Sequence, residues 1–175
     1  MVTRFLFQLY QRLVGWFIPT HTSSAMIDAP SIPMRVAISG AGIAGLSAAI
    51  SLRRSGHRVS LYDRSTLNNE IGAAINVPPN VSRFLLPWGF DTIRARFRVS
   101  PGMYHLSGKT LDVLLESDMQ RNAELYGGPL FLAHRVDLHQ ELKLMATDPN
   151  GPGIPAEVHV KSEVVEYVSS TVPNT

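Results

Sequence analysis

The chain has 175 residues, 45% of them hydrophobic and 17% charged, with a formal net charge of +2. Such a composition excludes a disordered chain, which combines low hydrophobicity with high net charge. The absence of cysteine excludes a disulfide scaffold, thiolate metal centres and thiol nucleophiles. The pI of 9.2 reflects 16 basic residues against 14 acidic ones, and scattered arginines make no stripe for nucleic acid.

Residues 1–33 read as an appendage to a domain over 34–175. In MVTRFLFQLYQRLVGWFIPT, the positions Thr3, Arg4, Gln8, Gln11, Arg12 and Gly15 follow helical spacing, and apolar residues cover the remainder. A helix with a narrow polar face suits peripheral membrane contact through residues 5–18, or packing on another surface. Phe5–Ile18 is too short and too polar to span a bilayer, and it makes no clean signal peptide. The expected location is therefore cytoplasmic, with membrane association as the alternative. The stretch THTSSAMIDAPSIP is a linker.

From Met34 the pattern sharpens. MRVAIS predicts a buried strand. Gly40-Ala41-Gly42-Ile43-Ala44-Gly45 is a G-x-G-x-x-G that opens a helix, LSAAISLRRS. Ile43, Leu46, Ala49 and Ile50 are expected to face a sheet. Arg53 and Arg54 sit in the last turn, where cations favour the helix dipole, and Gly56 suits the position after the cap. Arg58–Tyr62 follows as a second strand ending in Asp63. This is a βαβ unit of about thirty residues, as a dinucleotide fingerprint requires.

Each part has a physical role in that reading. Gly40 allows the tight turn, Gly42 removes a Cβ from the path of a pyrophosphate, and Gly45 allows close helix–strand approach. Backbone N–H groups around Ile43 and Ala44 meet phosphate charge. Asp63 lies where a carboxylate accepts hydrogen bonds from ribose hydroxyls. A carboxylate there disfavours NADP relative to NAD or FAD, although Arg64 stands beside it.

The stretch VAISGAGIAGLSAAISLRRSGHRVSLYDRS resembles the opening of FAD-dependent aromatic-ring hydroxylases, the salicylate-hydroxylase-like flavoprotein monooxygenases. That family more often has Glu where Asp63 stands. Two later stretches carry the same resemblance. Glu70–Asn80, EIGAAINVPPN, is similar to a glycine–alanine segment beside the flavin, followed by Pro-Asn opening a helix. Phe131–His139, FLAHRVDLH, is similar to an HRxDLH helix start whose Arg contacts FAD. The resemblance implies a Rossmann-like, glutathione-reductase-type FAD-binding α/β domain. Its cofactor residues would include Gly72, Ala73, Ala74, Arg64 and Arg135, with the backbone near Val164 beside the adenine. It implies hydroxylation of a small, aromatic substrate with NAD(P)H as co-substrate.

Further along, residues 81–96 predict a helix running into a turn at Pro87-Trp88-Gly89-Phe90. Phe97–Leu115 predicts short strands with a hairpin at Ser107-Gly108, and by resemblance residues 97–116 begin a substrate-domain sheet. SGKT is no phosphate loop, since Gly102 and Gly108 are one residue too far apart for a Walker sequence. Arg94, Arg96 and Arg98 read as one solvated face. Val136–Ala146 predicts a helix with Leu138, Leu142 and Met145 on one side, and Asp148–Gly153 is a loop of breaker residues. Glu157–Val160 and Val164–Val168 read as strands, the first parallel to the two before it by resemblance. The histidines lack metal-ligand spacing.

The resembled family carries a Gly-Asp and an Asp-Gly signature further downstream, and residues 142–175 hold neither. The expectation is an incomplete FAD-binding domain with part of a β-rich substrate domain: an N-terminal fragment of a monooxygenase. The alternative is a non-catalytic FAD- or nucleotide-binding module. Exposed apolar surface is expected in either case.

Overall fold

The computed structural model describes residues 32–67 and 72–168. The expected interfacial helix at 5–18 lies outside them, as do Glu70 and Ile71. The elements run β1 (Arg35–Ser39), α1 (Ile43–Arg54), β2 (Arg58–Tyr62), β3 (Ala74–Val77), α2 (Pro79–Leu85) and β4 (Arg98–Val99). They continue with β5 (Gly102–Leu106), β6 (Val113–Asp118), α3 (Asn122–Tyr126), β7 (Phe131–His134), α4 (Arg135–Thr147) and β8 (Glu157–His159).

The first sheet has the order β1-β2-β8 and is parallel throughout. Arg35 lies opposite Arg58 and Ser39 opposite Tyr62, so all of β1 and β2 are paired. A parallel pair needs a crossover, and α1 supplies it. Leu46, Ala49 and Ile50 of α1 are buried against Val59 and Leu61 of β2, the face that the sequence spacing predicts. The helix ends at Ser55, and Gly56 takes φ +85°, a left-handed position that closes the turn into β2. β8 is the third parallel strand, with Tyr62 opposite His159 and their rings stacked at 4.7 Å.

A second sheet was not legible in the sequence. β3 and β4 both pair antiparallel with β7, in the order β3-β7-β4. Phe97 therefore belongs to the nucleotide-domain core, touching Phe90 at 4.9 Å and Phe131 at 5.3 Å between ring centroids. The predicted hairpin is present as β5–β6, a separate two-stranded sheet. The hairpin exposes apolar side chains, among them Leu111, Val113, Leu114 and Leu115.

Two expectations are corrected. The helix over 81–96 is confined to Pro79–Leu85, because Pro87 and Gly89 (φ +88°) stop it and residues 91–96 form separate turns. Val164–Val168 is not a strand, since this stretch has no ladder partner among the described residues and Val165, Tyr167 and Val168 are highly exposed. Alternation alone does not make a strand; an edge to pair with does. Arg94 and Arg96, read as a solvated face, are indeed solvent-exposed, and they also grip α4. Arg94 donates from Nε and Nη2 to Glu141 at 2.6 Å each, and Arg96 donates to both oxygens of Asp137 at 3.0 and 2.5 Å. Both carboxylates are buried.

The Arg96 guanidinium holds the Asp137 carboxyl below its ordinary range, outweighing the opposing effect of burial. A depressed folded-state pKa stabilises the fold above the unfolded value and loses that contribution as pH falls through the folded one. Stability should therefore stay level from pH 7 to 5 and decline below about pH 4. Chemical-denaturation midpoints across pH check this, and Arg96→Gln should flatten the decline.

Arg53, expected as a last-turn cation, stands in the last turn and is also buried. It is 1% exposed. Its Nη1 donates to the carbonyls of Met145 and Ala146 at 2.7 and 2.9 Å, and its Nη2 to those of Asp148 and Gly153 at 2.9 and 3.1 Å. It thus caps the C-terminus of α4, a helix it does not belong to, and the breaker loop wraps around it. Gly153 (φ +77°) must be Gly there, since a Cβ would overlap the Arg53 carbonyl.

Candidate dinucleotide-binding site

The three glycines of the fingerprint are glycine for three different reasons. Gly40 has φ +96°, which L side chains rarely adopt. Gly45 has an ordinary conformation, but a Cβ on it would overlap the carbonyl of Gly40. Gly42 meets neither constraint. Its φ of −74° and ψ of −174° suit any residue, and a Cβ built on it meets no heavy atom within 4 Å. The protein's own packing does not require Gly42. What it does is leave open space at the start of α1.

That space lies beside backbone donors. The first N–H groups of any helix lack intrahelical acceptors, and α1 has no side-chain cap and no acidic residue in its first turn. Ile43 and Ala44 stand at that end, so the partial positive charge of the helix is presented where an anion can approach.

Asp63 closes the site at the end of β2. Its Oδ2 accepts the Ala41 N–H at 2.8 Å, while Oδ1 accepts the Ser65 N–H at 2.8 Å and the Ser65 hydroxyl at 2.7 Å. The Ser65 hydroxyl, and then the two backbone N–H groups, hold this carboxyl below its ordinary pKa against partial desolvation. Asp63 thus spends most of its accepting capacity on the loop itself, which leaves room for about one further donor on Oδ2. Arg64 follows it at the same strand end.

The other expected residues form a second group. The Arg135 N–H donates to the Ala73 carbonyl at 3.1 Å, which seats Gly72–Ala74 against the start of α4. Gly72 is tightly packed: a Cβ there would overlap the His134 ring. Ala74 lies opposite His134 in the β3–β7 ladder. Val164 is half-exposed and follows a stretch held to the end of β2, where Ser162 N–H donates to Asp63 O at 2.8 Å. Sequence reasoning missed His139, which is 1% exposed with its Nε2 2.7 Å from the Ala41 carbonyl. Its spacing of four from Arg135 was the available signal, because residues four apart share a helix face.

A parallel βαβ unit with a donor-lined, Cβ-free cradle at the strand-to-helix turn defines a Rossmann-like nucleotide-binding fold. In agreement, residues 38–101 match the family model of an NAD(P)-binding Rossmann-like domain. More particularly, the chain resembles the N-terminal part of FAD-dependent aromatic hydroxylases. It is 51% identical over 135 residues to an FAD-dependent monooxygenase of Aspergillus candidus, covering 77% of this chain and 31% of that protein. It is 41% identical over 131 residues to hispidin-3-hydroxylase of Neonothopanus nambi, covering 75% of this chain and 31% of that one. Among solved structures, the tetrameric form of 2-methyl-3-hydroxypyridine-5-carboxylic acid oxygenase superposes with a TM-score of 0.62 at 25% identity, over 78% of this chain and 33% of that one. The chain spans about a third of the length of the relatives it matches. Among the described residues no helix is long and apolar enough to cross a membrane.

Proposed function

We propose that this chain binds FAD through the ADP half of the cofactor, as the nucleotide-binding portion of a monooxygenase that hydroxylates a small aromatic substrate with NAD(P)H and O₂. The observation that carries this reading is Gly42, whose missing side chain serves no purpose inside the fold and lies where a pyrophosphate would pass. The similarity to FAD-dependent monooxygenases selects the flavin dinucleotide among possible ligands. FAD, when bound, supplies the redox chemistry of such enzymes.

The residues present fit that group. N–H groups of Gly42, Ile43 and Ala44 would bind the pyrophosphate, and Gly40 and Gly45 shape the turn that aims them. Asp63 would accept from one ribose hydroxyl, with Arg64 beside it and the backbone near Val164 at the adenine. Gly72, Ala73, Ala74 and Arg135 would line the path towards the flavin. The expected setting is cytoplasmic.

The test is direct. The purified 175-residue chain should quench flavin fluorescence on titration with FAD and retain the flavin through gel filtration. Failure to bind FAD overturns the reading. NAD(P)H oxidation, followed at 340 nm, then separates a catalytic chain from a binding module.

A further inference from the structure

We infer that His139 is a positioning residue for the dinucleotide loop, acting with Asp63 to fix both peptide groups that flank Ala41; this rests on the FAD-binding reading above. A carbonyl can only accept, so His139 Nε2 carries the proton and donates to Ala41 O at 2.7 Å. On the other side of the same residue, Ala41 N–H donates to Asp63 Oδ2 at 2.8 Å. Ala41 itself is fully buried, so neither group has water as a substitute.

The geometry of the trans peptide transmits this hold. The peptide bonds among the described residues are trans, so the C=O and N–H of one peptide group point in opposite directions. Drawing the Ala41 carbonyl towards α4 therefore turns the Gly42 N–H away from the core, towards the open cradle. Drawing the Ala41 N–H towards Asp63 likewise turns the Gly40 carbonyl towards Gly45, the contact that excludes a Cβ there. Two side chains, one from the end of β2 and one from α4, thus set the orientation of the peptides that would face a pyrophosphate. His139 also lies one helical turn after Arg135, so the same helix that carries Arg135 braces the loop.

The test uses the full chain with FAD and with ADP as separate titrants. His139→Leu should weaken both by about tenfold, the loss expected when a buried hydrogen bond is removed and its carbonyl is left unsatisfied. His139→Gln, whose amide nitrogen can donate from a similar position, should recover most of the affinity. Glu141→Gln, on the same helix but bonded to Arg94, is the control: it should lower the thermal midpoint and leave both affinities unchanged. Equal binding by His139→Leu and wild type, or a loss matched by the Glu141 control, overturns the inference. A ligand-free measurement separates it from the FAD reading. Amide exchange at Ala41 and Gly42 should accelerate in His139→Leu even if the wild-type chain bound no nucleotide, and unchanged exchange would refute the brace itself.

Discussion

Replacing Gly42 with valine should remove FAD binding while leaving the fold almost as stable as before. The two effects separate because Gly42 has an ordinary extended conformation and open space where its side chain would be. Loss of a favourable N-cap residue costs at most about 1 kcal/mol. A branched side chain in the cradle would overlap the phosphate path, and the affinity should fall on the order of a hundredfold or more, about 2.7 kcal/mol. Flavin titration and a denaturant midpoint, measured on the same preparation, check both halves. The companion Gly45→Val should behave in the opposite manner. Its Cβ would overlap the Gly40 backbone, so it should lose about 3 kcal/mol or more of stability through strain at the helix–strand contact. If Gly42→Val instead unfolds the protein, the cradle is a packing contact and not a ligand site.

The largest effect on stability should come from Arg53→Leu, about 3–5 kcal/mol. The guanidinium is the shared donor for four carbonyls at the end of α4 and in the following loop. Removing it leaves those partly buried acceptors without their shared donor. Arg53→Lys should recover only part of the loss, because one ammonium cannot reproduce the planar fork. Burial lowers the Arg53 pKa and the nearby Asp148 charge opposes that shift. Urea denaturation at pH 7 measures the change, and an Arg53→Leu midpoint equal to wild type would show that the carbonyls find other donors.

The βαβ unit was legible because its rules are local. The alternation in RVAIS, the apolar spacing of Leu46, Ala49 and Ile50, the left-handed Gly56 and the glycines of the turn all lie within about thirty residues. The second sheet was not, because β3, β4 and β7 are two to four residues long and pair across distant sequence. Arginines were the other blind spot. Nothing in LRRS tells that Arg53 turns inward and Arg54 stays near the surface, since the choice depends on carbonyls some ninety residues away. Asp63 was placed correctly at the strand end, but its use by Ala41 and Ser65 follows from the short reach of aspartate. His139 looked like one more histidine without a metal partner, and only the packing of α4 against the glycine turn shows what it holds.

The long separations across this core bear on how the chain is made. Met145, Ala146, Asp148 and Gly153 follow Arg53 by 92 to 100 residues, and His139 follows Ala41 by 98. At ribosomal rates of about 5–20 residues per second, the nucleotide turn emerges about 5–20 s before the residues that brace it. During that interval Arg53 remains hydrated and the turn is held from β2, by Asp63 and the Tyr62 carbonyl, without His139. The nascent βαβ unit should therefore be protease-sensitive until α4 and its loop leave the exit tunnel, and then become protected in one step.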